Sequence, residues 1–299
     1  MMRQLVFVHG RAQENKDAGA LKEEWIQGLE EGLARSGLAL PLDRDRIRFP
    51  YYGDTLDQLS RDIPHGEADE VIVRGTGADA DEQAFVRAVI AEIAQQAGLS
   101  EEQIVQMAGD EVVERGVLNW KWVRAALKGI DRFVPYASGA SIALATRDVY
   151  HYLKNEAVRN VIDTGVACAF DPEAETVVVA HSLGTVVAFN VLRRLGTACK
   201  WKVPVLITLG SPLGVTRIRD SLGKPIVRPD CVGRWTNAMD ERDVVALYPL
   251  SPARFPLHPA DFRIENMTHV RNHTDNRHGI AGYLDDAQVA RAIHDALTA

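Results

Sequence analysis

The chain has 299 residues, 46% of them hydrophobic and 25% charged, the composition of a folded globular protein and not of a disordered or collagen-like one. A formal charge of −7 excludes the clustered Lys and Arg surface that neutralises nucleic-acid phosphates. Three cysteines without paired spacing, Cys168, Cys199 and Cys231, exclude a disulfide scaffold and a zinc-like or redox motif, and fit reduced structural thiols in the cytoplasm.

Leu5-Val6-Phe7-Val8 reads as a buried strand closed by a tight loop at His9-Gly10; the run is too short for a signal peptide. Leu21, Trp25, Leu29 and Leu33 repeat at helical spacing over 20–36, with Gly37 just past the end. Ile47-Arg48-Phe49 predicts a second strand, and strand–helix–strand order predicts a parallel sheet. From 64 to 146 the patterns turn helical, over 81–96, 100–115 and 120–130, with Val71-Ile72-Val73 the single strand-like fragment. Ser100-Glu101-Glu102-Gln103 has the form of a capping box, which fixes one helix start. The uncharged stretch 133–146 contains Pro135 and is shorter than a membrane span, and one long helix is expected over 147–166. Alternation then resumes. Strands are expected at 176–180, 203–209, 232–236 and 262–267. Helices are expected at 184–195, where Arg193-Arg194 suits the C-terminal end, and at 285–297, with Val289, Ile293 and Leu297 on one side. The chain therefore divides into an α/β core, 1–63 and 147–299, and a helical insertion, 64–146.

The densest chemical signal is Thr176-Val-Val-Val-Ala-His-Ser-Leu-Gly-Thr-Val-Val. A strand runs into Ser182 and straight on into a helix, so the serine occupies a sharp, strained turn. Small residues, Ala180 and Gly184, stand at the two crowded flanking positions. Such a turn lifts the hydroxyl clear of the sheet at the positive end of the helix. An N-cap serine after a strand has the same local form without the chemistry, but the apolar flanks and paired small residues favour a nucleophile. Gly210-Ser211-Pro212-Leu213-Gly214 holds a second serine after a strand; Pro212 is expected to favour an extended turn over a helix cap, which makes this a wall of the site.

Together, Leu5-Val-Phe-Val-His-Gly, Ala180-His-Ser-Leu-Gly, Leu206-Ile-Thr-Leu-Gly-Ser-Pro, Trp235-Thr-Asn-Ala-Met-Asp-Glu-Arg-Asp-Val-Val and the late His278-Gly-Ile-Ala-Gly-Tyr resemble the lipase and esterase group of the α/β-hydrolase superfamily. Ala180 stands where glycine is more usual, and the insertion matches nothing in that group. The resemblance implies a three-layer α/β-hydrolase fold, with a mostly parallel sheet and a helical cap. It also implies the chain order nucleophile, acid, histidine, so both partners of Ser182 follow it. Two acids compete after the strand at 232–236. Asp243 precedes Val244-Val245, as the family's acid precedes apolar residues, and Asp240 is the alternate; Glu241 is expected in solvent. For the base the resemblance points to His278, with His273 and then His269 as alternates, while His258 and His294 lie elsewhere. The implied oxyanion donors are the backbone N–H groups of Leu183 and Arg11, and His181 is expected to pack.

The implied activity is hydrolysis of a carboxylic ester, of a small molecule or a lipid, through an acyl-enzyme, with no cofactor and no metal. His269, His273, Asp275 and His278 carry imidazole and carboxylate groups, but their spacing matches no compact zinc site, so a metal-dependent hydrolase is the weaker alternative. A non-catalytic interaction protein on the same fold is the other, motivated by the size of the insertion. Val134, Ile142 and Leu144 suit an acyl-binding cleft, transient contact with a lipid surface, or plain packing. Trp120 and Trp122 cannot share a helix face, so at least one is expected to anchor the insertion to the core.

Overall fold

The computed structural model describes residues 3–10, 17–53, 80–108 and 120–299. Runs rich in β-branched and aliphatic residues form β1 (Arg3–Val8), β3 (Glu175–His181) and β4 (Val203–Leu209), and the more polar Val-Gly-Arg-Trp-Thr-Asn-Ala forms β6 (Val232–Ala238). Shorter β2 (Ile47–Arg48) and β8 (Ile264–Met267) close the edges. These six strands form one sheet in the order β2-β1-β3-β4-β6-β8, with every neighbouring pair parallel. A separate parallel pair, β5 (Ile226–Val227) and β7 (Leu257–His258), lies outside the predicted strands. The chain steps outward from β1 to β2, then returns to the other side of β1 at β3. That reversal opens a crevice beyond the carboxyl ends of β1 and β3, where ligands bind in open α/β sheets.

Alternate strand residues face opposite sides. Leu5, Phe7, Val177 and Val179 pack with α1 (Ala18–Ala34) and the closing helix α10 (Ala287–Thr298). Val6, Val8, Val178 and Ala180 pack with α7 (Leu183–Leu195) on the other face, which gives helix–sheet–helix layering. The apolar stripe read for α1 is buried, Asp17 caps its start by accepting from Ala20 N–H at 2.7 Å, and Gly37 follows it at φ +66°. Arg193 and Arg194 lie in the last turn of α7, bonded to the Leu222 carbonyl at 2.6 Å and to Asp163 at 2.8 Å.

The insertion contributes α2 (Ala80–Gln96), α3 (Glu101–Ala108) and α4 (Trp120–Phe133). The capping box forms as read: Ser100 N–H donates to Gln103 Oε1 at 2.8 Å and Gln103 N–H to Ser100 Oγ at 3.2 Å. The single helix expected over 147–166 is instead two, α5 (Gly139–Lys154) and α6 (Glu156–Ala167). Asn155 separates them in an extended conformation, and its Oδ1 accepts from Ala157 and Val158 N–H, the geometry of an N-cap that restarts a helix. The boundary expected at 146/147 falls inside α5. Side chains of α2, α4 and α5 share one apolar cluster with Leu183 and Val186 of α7. Trp122 is buried in that cluster, with Nε1 donating to Glu101 Oε2 at 3.3 Å, and Trp120 packs at its edge. Val71-Ile72-Val73 and residues 109–115 lie outside the described residues. Short α8 (Thr216–Asp220) and α9 (Ala281–Leu284) complete the chain, and α10 begins beyond Asp286, which caps it. Among the described residues no helix is long and apolar enough to cross a membrane.

Candidate active site

Ser182 is the single residue between β3 and α7, at φ 54° and ψ −128°. Residues with a side chain rarely adopt that conformation, which costs about 1–3 kcal/mol and persists only when the surroundings hold it. Here they do. Ser182 N–H donates to the Leu209 carbonyl at 3.0 Å, and the Ser182 carbonyl accepts from Thr185 N–H at 2.9 Å and Thr185 Oγ1 at 2.8 Å. A side chain at Gly184 would strike the carbonyl oxygens of Val8 and His9, and a Cβ on Gly10 would meet Ser182 Cβ at 2.8 Å. The turn therefore exists only because glycine stands where helix, first loop and elbow converge. Leu183 opens α7, so its N–H has no acceptor within the helix. Arg11, the other expected oxyanion donor, lies outside the described residues.

His278 stands between the serine and an acid. Its Nε2 is 2.8 Å from Ser182 Oγ and its Nδ1 is 2.7 Å from Asp243 Oδ2. Asp243 is 2% exposed. Burial by itself pushes its carboxyl up, but the charge and hydrogen bond of His278, the Tyr283 hydroxyl and Val245 N–H together hold it below the ordinary range. An ionised Asp243 places the proton on Nδ1, so Nε2 is left to accept from the Ser182 hydroxyl.

The alternates are engaged elsewhere. Asp240 accepts from the Arg242 guanidinium and, at 2.8 Å, from Asn272 N–H. Although burial raises its carboxyl, these donors hold it below the ordinary range, and it ties two loops together. His273 Nε2 is 2.9 Å from Asp285, which also pairs at 2.7 Å with Arg35, the residue just past α1. His269 is bridged to Asp240 through the backbone, and His294 lies beside Asp295 on α10. Glu241 is exposed, as expected. Ser211 departs from the expected extended turn. Its Oγ accepts from Leu213 N–H at 3.3 Å and caps the short turn Pro212–Gly214, because proline at the first helical position lacks only an N–H that would have no partner there. The same Oγ shares a 2.8 Å hydrogen bond with Thr185 Oγ1.

Two further histidines brace the site. His181 Nε2–H donates to the His278 carbonyl at 2.8 Å. Burial, with His278 alongside, takes its pKa down to about 3, so the ring is neutral. His9 accepts from Tyr52 N–H at Nε2 and donates from Nδ1 to the Gly10 carbonyl at 2.7 Å. Burial lowers its pKa to about 4 against the opposing effect of that bond. The Tyr52 hydroxyl donates to the His9 carbonyl. His181 was legible only as a packing residue, and the role of His9 in pinning the first loop had no sequence signal beyond His9-Gly10.

A narrow apolar slot with a cavity volume of about 20 Å³ opens beside Ser182, lined by Val89 and Ile93 of α2, Ile142 and Val149 of α5, Leu183 and Val215 among others. Thr146 also lines it, but its hydroxyl is spent on the Ile142 carbonyl at 2.8 Å. Among the described residues no group of three or more His, Cys, Asp or Glu side chains is arranged to hold a metal ion. Compared with known proteins, the chain matches no family model, no curated protein and no solved structure.

Proposed function

We propose that the chain is a serine hydrolase of the α/β-hydrolase kind, with Ser182 as nucleophile, His278 as general base and acid, and Asp243 as the carboxylate that orients the ring. Its substrate, on this reading, is a carboxylic ester whose acyl part is aliphatic. The observation that carries the reading is one imidazole spanning Ser182 Oγ at 2.8 Å and Asp243 Oδ2 at 2.7 Å beside a strained strand-to-helix turn.

A serine hydroxyl is a weak nucleophile until a base takes its proton. As Ser182 Oγ attacks the ester carbon, Nε2 takes the hydroxyl proton, and the imidazolium is supported by Asp243 across Nδ1–H. The developing oxyanion is met by Leu183 N–H, with Arg11 N–H as the proposed second donor. Nε2 then returns the proton to the departing alcohol, which leaves an acyl-enzyme. Water enters by the same relay and releases the acid. The slot beside Ser182 supports an aliphatic acyl group, since its walls are mostly apolar. Free Cys168, Cys199 and Cys231 support a reducing, cytoplasmic setting.

A fluorophosphonate probe tests the nucleophile, followed by p-nitrophenyl esters of increasing chain length. Ser182 is expected to be labelled, and Ser182→Ala to lose labelling and roughly 10³–10⁶-fold in turnover with its fold intact. A protein that resists the probe favours the interaction-protein reading, and chelator-sensitive turnover favours the metal-dependent one.

A further inference from the structure

We infer that Tyr283 is a positioning residue of the proposed relay, sharing one oxygen of Asp243 with His278 and so setting the pH at which His278 takes up a proton. The inference rests on the hydrolase reading above. The Tyr283 hydroxyl donates to Asp243 Oδ2 at 2.7 Å, the same oxygen that accepts from His278 Nδ1 at 2.7 Å. The other oxygen, Oδ1, accepts from Val245 N–H at 2.9 Å and Ala246 N–H at 3.3 Å. The carboxylate thus serves four donors, only one of which is the histidine.

The hydroxyl is placed there by tight packing. Tyr283 lies on α9, five residues beyond His278 in the preceding loop, and is fully buried. Gly210, at φ +56°, sits where an added Cβ would meet the Tyr283 ring at 3.1 Å, Asp243 Oδ2 at 3.2 Å and His278 Cε1 at 3.2 Å. Acid, base and phenol therefore converge on one glycine at the end of β4. A phenylalanine would fill the same space, and a buried hydroxyl is costly unless it is bonded, so the oxygen is there for its partners. Burial, then Asp243, push the phenol pKa well above its ordinary value, which keeps it a donor at any working pH.

A donor that shares Oδ2 draws off part of the negative charge that would stabilise an imidazolium. Removing that donor leaves more of the charge facing His278 Nδ1–H, and this difference between variant and parent is what a pH profile reads. The other groups facing the pair do not offset this effect. From β3, the His181 ring lies 4.8 Å from that of His278 and is neutral. From the loop after β6, Asp240 is matched by Arg242. On the histidine's own loop, Arg277 donates to the Asn272 carbonyl and stacks over Tyr136.

Tyr283→Phe tests this in the full chain. The acid limb of the kcat/KM profile is expected to rise by about half to one pH unit, so that kcat on that limb falls about three- to tenfold with KM little changed. The His278 titration midpoint, followed by NMR without turnover, should move the same way. A tyrosine that merely fills space would lower the melting temperature and leave both midpoints in place. Site-specific 3-fluorotyrosine at 283, a stronger donor of nearly the same shape, should move the limb down and stands in if the phenylalanine variant fails to fold. Midpoints that stay still, or move the opposite way, in a protein still labelled at Ser182 overturn the inference alone; failure of Ser182 to label overturns the hydrolase reading and this inference with it.

Discussion

Asp240 and Asp243 sit three residues apart in one loop, and their surroundings assign them different work. Asp243 N–H donates to the Asp240 carbonyl at 3.0 Å, a turn that sends one carboxylate inward to His278 and the other toward Arg242 and Asn272. Asp243→Asn should lower kcat roughly 10³–10⁴-fold, because an amide neither fixes the ring tautomer nor supports an imidazolium. Asp240→Asn should lower kcat less than about tenfold and act mainly on stability, since it weakens loop bonds away from the reacting atoms. Steady-state ester hydrolysis with a thermal melt of each variant checks the pair, and the reverse order would exchange the two acids. The sequence left this choice open because both residues follow the same strand and only the turn between them separates their directions. Ser182 was more legible, since its crowding shows directly as Ala180 and Gly184. Tyr283 was visible only as the end of a loop motif, because a bond across 40 residues to Asp243 leaves no local pattern.

The elements of the sheet announce themselves by periodicity, and their joints by glycine. At Gly184 the first turn of α7 passes against the carbonyls of Val8 and His9 with no room for a methyl group, whereas Gly165 is exposed on α6 with nothing near its missing Cβ. The same substitution should therefore act with opposite sign at the two sites. Gly184→Ala should destabilise by about 1–3 kcal/mol through overpacking and disturb the elbow. Gly165→Ala should stabilise by about 0.5–1 kcal/mol, as alanine does in a helix interior. Thermal melts of the two variants decide it, and a shift of one sign in both would show that the helix–strand contact at Gly184 is looser than described. The element reading missed the short β5–β7 pair and failed again at Asn155: Tyr152, Leu153, Val158 and Ile162 are all buried, so apolar spacing runs through the break and only the capping residue marks it. The insertion was legible as helical, but its sharing of one core with α7 depends on contacts distant in sequence.

At the scale of the whole molecule, two neutral imidazoles stand at the carboxyl ends of the paired strands β1 and β3. His9 is fully buried and His181 is 8% exposed. Burial holds their pKa values near 4 and 3, against 6.5 for an ordinary histidine. Each folded-state value is depressed, so the unfolded chain binds protons that the folded chain refuses. The stability involved is fully present above about pH 6.5 and is lost as the pH falls from there toward the folded-state values; at about pH 5 the loss is roughly 2 kcal/mol for each ring. Asp240 and Asp243, held low by their partners, begin to lose their own contribution as the pH falls into the ordinary carboxylate range. Asp163, whose carboxyl burial raises, works in the opposite sense and moderates the slope. Thermal melts should therefore show a melting temperature lower by several degrees at about pH 5 than at about pH 7.5. His9→Gln keeps an acceptor for Tyr52 N–H and a donor for the Gly10 carbonyl but cannot titrate, and should remove about half of that difference. If the variant and the parent lose the same amount between the two pH values, His9 is not one of the groups through which acid opens the fold.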